Sequence, residues 1–87
     1  MATKADSRES VAIVGAGAWG TSLACILADR YRQVMLWVYE DDLVDEMLHT
    51  RENATYLPGI PLPPSVLPTS ALERALVGQT FVIFVVP

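Results

Sequence analysis

The chain has 87 residues, short of the roughly 100–200 of an ordinary domain, which allows one domain at most and excludes a two-domain enzyme. Hydrophobic residues make up 52% and charged ones 18%, the reverse of a disordered composition, and the single cysteine, Cys25, excludes an internal disulfide. Six basic against ten acidic side chains leave a net charge of −4, which argues against a nucleic-acid or anionic-membrane surface and requires any anionic ligand to be held by dipoles.

Residues 1–10 are polar, with Asp6 and Glu9. They read as a disordered tail, unlike a signal peptide. Residues 11–87 form the folded part. The apolar run from Phe81 to Pro87 is far below the ~20 residues of a membrane span, and a reducing cytoplasm is the expected location.

In chain order, Val11-Ala12-Ile13-Val14 is a short apolar run ending at Gly15, a buried strand. Ala18 to Arg32 carries Gly20, Leu23, Leu27 and Tyr31 at helical spacing. Gln33 to Tyr39 is β-branched and aromatic without Gly or Pro, a second strand. Residues 41–51 place Leu43, Val44, Met47 and Leu48 on one stripe, with acid toward the N-terminal end, an amphipathic helix. Pro58 to Pro68 holds five of the six prolines and reads as a loop, with Val66-Leu67 a weak strand inside it. Ser70 and Glu73 have capping-box spacing ahead of a short helix through Val77, which Gly78 would stop. Phe81 to Val86 is uniformly apolar, as a parallel strand covered on both faces requires.

Gly15-Ala16-Gly17-Ala18-Trp19-Gly20 matches G-x-G-x-x-G, and here it follows a strand and opens a helix within a βαβ unit. Gly15 permits the tight turn, Gly17 lets a diphosphate reach bare backbone, and Gly20 lets the helix lie close on the first strand. The N–H groups at the helix start, around Ala18 and Trp19, supply the positive end of the dipole that a diphosphate needs. Trp19 is placed as a pocket wall. The competing reading uses the glycines for packing alone.

The same fingerprint expects an acid about 20 residues on, accepting hydrogen bonds from the adenosine ribose, and Glu40 stands there. Its carboxylate would repel a 2′-phosphate, and no Arg or Lys lies between Arg32 and Arg51, so NAD is favoured over NADP. Alternatively, Glu40 joins Asp41 and Asp42 in serving a helix dipole. Tyr39 is either a core aromatic or a flat surface for adenine. His49 suits a solvated helix end, Cys25 reads as an inert core thiol, and no metal-ligand cluster is present. Asn53-Ala54-Thr55 has the form of a glycosylation site without the secretory signal to make it one.

The glycine run with Thr21, then Leu36-Trp37, Arg51-Glu52-Asn53, Tyr56-Leu57-Pro58-Gly59 and Phe84-Val85-Val86-Pro87, resembles in order and spacing the N-terminal part of NAD-dependent glycerol-3-phosphate dehydrogenases. That family interconverts sn-glycerol 3-phosphate and dihydroxyacetone phosphate by hydride transfer, in a two-domain, usually dimeric protein serving glycerophospholipid metabolism. The resemblance implies cofactor contacts at Gly15, Gly17, Ala18, Trp19, Gly20, Tyr39, Glu40 and Tyr56. The Trp37-Val38-Tyr39-Glu40 run looks like NAD-preferring members that set an aromatic ring against adenine. The family's catalytic lysine and substrate domain lie beyond Pro87, and the sole lysine, Lys4, matches no catalytic position. No catalytic residue is therefore assigned, and the chain is expected not to turn over substrate alone.

The expected fold is a half-Rossmann α/β unit with parallel strand order 3-2-1-4, cut after the fourth strand. The rival functions are a stand-alone NAD-sensing module and the cofactor domain of another dehydrogenase of this fold. The second of these would share the glycine turn but not the segment from Arg51 to Gly59.

Overall fold

A computed structural model describes residues 9–85. Four parallel strands form the main sheet, in the order β5-β2-β1-β6, where β1 is Ser10–Val14, β2 Gln33–Trp37, β5 Val66–Thr69 and β6 Phe81–Phe84. Counting only these strands, the order is the expected 3-2-1-4. The chain steps outward from β1 through β2 to β5, then crosses back to place β6 on the other side of β1. Strand order therefore reverses between β1 and β6, the point at which open α/β sheets bind their ligands.

Three helices join the strands: α1 (Ala18–Leu27), α2 (Asp41–Thr50) and α3 (Leu72–Leu76). The core is built from Val11, Ile13, Val34, Leu36 and Val38 of the sheet region, with Met47 of α2 and Val66 of β5, all fully buried. The residues of α1 that face it are smaller than the sequence suggests. Gly20, Thr21 and Ala24 are buried, together with Ala28 just past the helix, whereas Leu23, Leu27 and Tyr31 pack only partly against the core. A stripe of small side chains brings the helix axis closer to the sheet than leucines would allow.

Several boundaries move. The first strand begins at Ser10, whose side chain is buried and whose hydroxyl donates to Gln79 Oε1 at 2.6 Å. The rest of the expected tail, residues 1–8, lies outside the described residues, as do Val86 and Pro87 at the expected end of the last strand. Helix α1 stops at Leu27 rather than Arg32, because the Arg30 and Tyr31 amides both turn back to the Leu27 carbonyl and the Arg32 amide bonds Glu9 O. Strand β2 ends at Trp37 rather than Tyr39, where its pairing partner β5 also ends.

The proline-rich stretch is not a plain loop. Leu57–Pro61 forms β4, antiparallel to a two-residue strand β3, Glu52–Asn53. Both strands lie at an edge, where a proline removes no hydrogen bond that a neighbour needs. Pro68 likewise sits in β5, the outermost strand of the main sheet. The capping box is also absent: α3 starts after Ala71 without a side-chain cap, Thr69 Oγ1 instead accepts from the Ala71 amide at 3.1 Å, and the Ser70 carbonyl is taken by Trp37 Nε1 at 2.9 Å.

Helix α2 ends at Arg51, the one non-glycine with positive φ among the described residues (φ 58). A left-handed arginine costs on the order of 1 kcal/mol. Its guanidinium offsets that cost by donating from Nη2 to the carbonyls of Pro63 at 2.7 Å and Val66 at 2.8 Å, tying the helix end to the start of β5.

Strand β6 departs most from expectation. It pairs with β1 on one side, yet Phe81 and Phe84 are 51% and 66% exposed, so it is not covered on both faces. An apolar strand with a free edge templates pairing with other chains. The 87-residue chain is accordingly expected to self-associate, and Phe84→Lys to raise its monomeric fraction severalfold in sedimentation velocity at micromolar concentration. A wild-type chain that sediments as a monomer and melts cooperatively would contradict this.

Candidate functional site

The turn after β1 is set by Gly15. Its φ of +125° is open only to glycine, and a Cβ there would collide with the Val85 carbonyl oxygen. Gly20, on the buried side of α1, lies against the turn itself: a Cβ would overlap the Gly15 carbonyl oxygen and reach 3.6 Å from Ile13 Cγ2. What excludes a side chain at Gly20 is therefore the turn's own backbone, while Ile13 of β1 lies at ordinary contact distance behind it. Gly17 differs from both, since a Cβ built on it meets no atom within 4 Å.

Gly17 is the N-cap of α1 and offers no side chain to the helix end. The first intrahelical bond runs from the Thr21 amide to Gly17 O at 3.0 Å, so the amides of Ala18, Trp19 and Gly20 precede it without an intrahelical acceptor. No acidic side chain stands in the first turn. The positive end of the helix dipole thus faces a bare glycine backbone, an arrangement that can take a diphosphate despite a chain charge of −4.

That backbone opens on a cavity of about 500 Å³ lined by Gly15, Gly17, Ala18, Trp19, Gly20, Tyr39, Glu40 and Tyr56, the residues at which the resemblance implies cofactor contacts. Ala16, Trp37 and Val85 complete the wall. Gly15, Trp37 and Val85 stand at or just past the carboxyl ends of β1, β2 and β6, so the cavity lies at the carboxyl edge of the sheet and at its switch point. Trp19 is 83% exposed and Tyr39 79%, which removes the core reading of Tyr39 and leaves both rings as walls. Trp37 meets the Tyr39 ring edge-on, with centroids 6.0 Å apart.

Glu40 is the N-cap of α2 and makes no side-chain cap bond, and with Asp41 and Asp42 in the first turn it stands at the positive end of the helix dipole, as the second reading of it expects. Glu40 Oε2 accepts from the Tyr56 hydroxyl at 2.8 Å, joining the acid to the turn between β3 and β4. This bond, with the repulsion of the nearby negative charge, pushes the Tyr56 phenol above its ordinary pKa. It therefore stays a proton donor to Glu40 at neutral pH.

One residue of the site was not legible as such. Asn53 is fully buried and holds the turn from behind: its Nδ2 donates to the Ala16 carbonyl and to Thr21 Oγ1, each at 2.9 Å. With that nitrogen buried and both protons given, it is no acceptor for a glycan. The only sequence signal for it is its place in the Arg51-Glu52-Asn53 run. Cys25 packs partly on the core, and burial pushes its thiol pKa up, which keeps it in the unreactive thiol form. His49 is exposed in the last turn of α2. Among the described residues no group of three or more His, Cys, Asp or Glu could hold a metal ion, and no helix is long and apolar enough to cross a membrane.

The fold and sequence have close counterparts. Glycerol-3-phosphate dehydrogenases [NAD(P)+] of Desulfotalea psychrophila and Geobacter sulfurreducens are each 47% identical to this chain, over 90% and 91% of it and 23% and 24% of their own lengths. A crystal structure of glycerol-3-phosphate dehydrogenase from Coxiella burnetii superposes with a TM-score of 0.83 at 44% identity, over 91% of this chain and 24% of that one. The enzyme of Dunaliella salina also gives 0.83, at 31% identity, over 93% of this chain and 17% of its own. The chain thus spans about a quarter of the curated relatives it matches. Residues 10–87 match the family described as NAD-dependent glycerol-3-phosphate dehydrogenase N-terminus, and the chain belongs to that family.

Proposed function

We propose that this chain is the NAD(H)-holding portion of an oxidoreductase that interconverts sn-glycerol 3-phosphate and dihydroxyacetone phosphate. The observation that carries the reading is the cavity at the switch point, where the open backbone at Gly17 and the free amides of α1 share one wall with Trp19, Trp37, Tyr39 and Tyr56. In the proposal the diphosphate lies on Gly15, Gly17, Ala18, Trp19 and Gly20. The adenosine lies between Tyr39 and Tyr56, with its ribose hydroxyls donating to Glu40. The bound nicotinamide supplies or accepts the hydride. The side chains of this chain bind and orient the cofactor, and the groups that act on substrate lie outside it. The proposal extends, on the family resemblance, to a cytoplasmic location and a homodimeric full-length protein. The domain assignment, residues 11–87 as the front of the cofactor domain, is part of it.

Trp19 and Trp37 both line the cavity, so quenching of tryptophan fluorescence reports binding directly. NADH is expected to bind more tightly than NADPH, and Glu40→Gln to tighten NADPH by about fivefold. That figure corresponds to roughly 1 kcal/mol of charge repulsion at about 4 Å in a water-like dielectric. NADPH binding the wild type more tightly than NADH would overturn the role given to Glu40, and no quenching by either would overturn the reading as a whole.

A further inference from the structure

We propose that Asn53, which lines no part of the cavity, is a positioning residue that couples the two ends of the site. It would fasten the glycine turn and the Tyr56 turn into one rigid unit. The inference rests on the cofactor reading above and adds to it a residue that the cofactor never touches.

The Asn53 carboxamide is bonded at both its nitrogen and its oxygen. Both Nδ2 protons are used, on the Ala16 carbonyl and on Thr21 Oγ1, partners 37 and 32 residues distant in sequence, and Oδ1 accepts from the Tyr56 amide at 3.1 Å. The orientation is unique, because the Ala16 carbonyl can only accept and the Tyr56 amide can only donate. Thr21 Oγ1 itself donates to Ala16 O at 3.2 Å, so the carbonyl between Gly15 and Gly17 receives two hydrogen bonds. The turn's own amide contact to the sheet is longer, Gly15 N to Trp37 O at 3.3 Å.

From Tyr56 the connection continues through its hydroxyl to Glu40 Oε2. A continuous series of bonds therefore runs from Ala16 through Asn53 and Tyr56 to Glu40, around the cavity from the diphosphate end to the ribose end. Its central member is completely buried. The two bonds donated by Asn53 Nδ2 are buried, where the low dielectric strengthens them and an unmade one is costly, so the Asn53 end of the unit has one favoured arrangement, and the exposed Tyr56–Glu40 bond extends it to the cavity rim. Small misplacements of a positioned site are expensive in affinity, and a buried support that fixes both ends at once is the economical way to prevent them.

The test uses inorganic pyrophosphate, a probe small enough to occupy the turn alone, with amide hydrogen exchange read by mass spectrometry on the whole chain. In the wild type, pyrophosphate should slow exchange in the peptide covering 15–20 and in the peptide covering 54–57 with the same concentration midpoint. In Asn53→Ala, affinity for pyrophosphate should fall about tenfold and the 54–57 peptide should no longer respond. Thr21→Val, which removes both bonds of the Thr21 hydroxyl, to Ala16 O and from Asn53 Nδ2, and keeps the packing volume, should weaken pyrophosphate binding by about threefold and serves if Asn53→Ala does not fold. Protection confined to 15–20 in the wild type overturns the coupling and leaves the cofactor reading standing, as does an unaltered response at 54–57 in a folded Asn53→Ala. If neither pyrophosphate nor NADH protects 15–20, the cofactor reading falls and the coupling falls with it.

Discussion

Gly17→Val should leave the fold intact and abolish useful NADH binding. The backbone at Gly17 has φ −69° and ψ −170°, values open to any residue, and the position where a Cβ would stand has no protein atom within 4 Å. The added Cβ itself therefore meets no described atom beyond its chain neighbours. Valine is a poorer helix cap than glycine, which sets the stability cost at about 1 kcal/mol or less. The ligand is affected very differently. A diphosphate reaches the amides of Ala18 and Trp19 only by lying on the bare backbone in front of them, and two methyl groups at Gly17 occupy that approach. An affinity loss of about 100-fold or more is expected, equivalent to about 2.8 kcal/mol. Tryptophan quenching by NADH, set beside a thermal melt of the same variant, checks both halves. Retained affinity would mean that the diphosphate does not lie on this turn.

The contrast with the other glycines separates fold from function within one motif. Gly15 and Gly20 are required by atoms of the protein, Val85 O in one case and Gly15 O in the other. No described atom beyond its chain neighbours lies within 4 Å of a Cβ at Gly17. A glycine that packing does not explain, at the head of a helix without a side-chain cap, is the feature expected if selection acted on a ligand rather than on the fold.

How far the sequence could be read follows from the range of each signal. The unit from Val11 through Gly20 was legible because its information is local: an apolar run, a glycine where φ must be positive, and free amides at a helix start. Tyr39 and Glu40 were candidates with two readings each, and Tyr56 entered only through the family resemblance; that all three line one cavity with the glycines is a matter of tertiary placement that their spacing does not encode. The hairpin over residues 52–61 was not legible, since Pro58 and Pro61 read as loop unless it is known that their strand is an edge. The burial of α1 was misjudged for a related reason. Periodicity favours Leu23 and Leu27, but the space between helix and sheet admits only Gly20, Thr21, Ala24 and Ala28. Asn53 carried a surface motif in the sequence and sits at 0% exposure. Its role depends on Ala16 and Tyr56 being brought to either side of it, which no local pattern encodes.

Gly20→Ala should do the opposite of Gly17→Val and unfold the site from within. Alanine is the better helix former by about 1 kcal/mol, so an ordinary helical position would gain from the change. Here the added carbon falls on the Gly15 carbonyl oxygen, with the Gly15 carbonyl carbon at 2.8 Å and Ile13 Cγ2 behind it at 3.6 Å. The turn cannot step aside cheaply. Gly15 is fixed at φ +125° with Val85 O against it, and the neighbouring Ala16 carbonyl is held by Asn53 and Thr21. Relief must come from lifting α1 off the sheet, which uncovers Thr21 and Ala24 and breaks the Thr21 hydroxyl contacts. Overpacking of this kind costs about 3 kcal/mol even after the gain in helix propensity. For a domain of this size that lowers the melting temperature by roughly 12–24 °C, against a total stability on the order of 5–10 kcal/mol. A melt followed by circular dichroism decides the matter: a midpoint within a few degrees of the wild type would show that the turn yields, and that Gly20 is not what holds the helix against it.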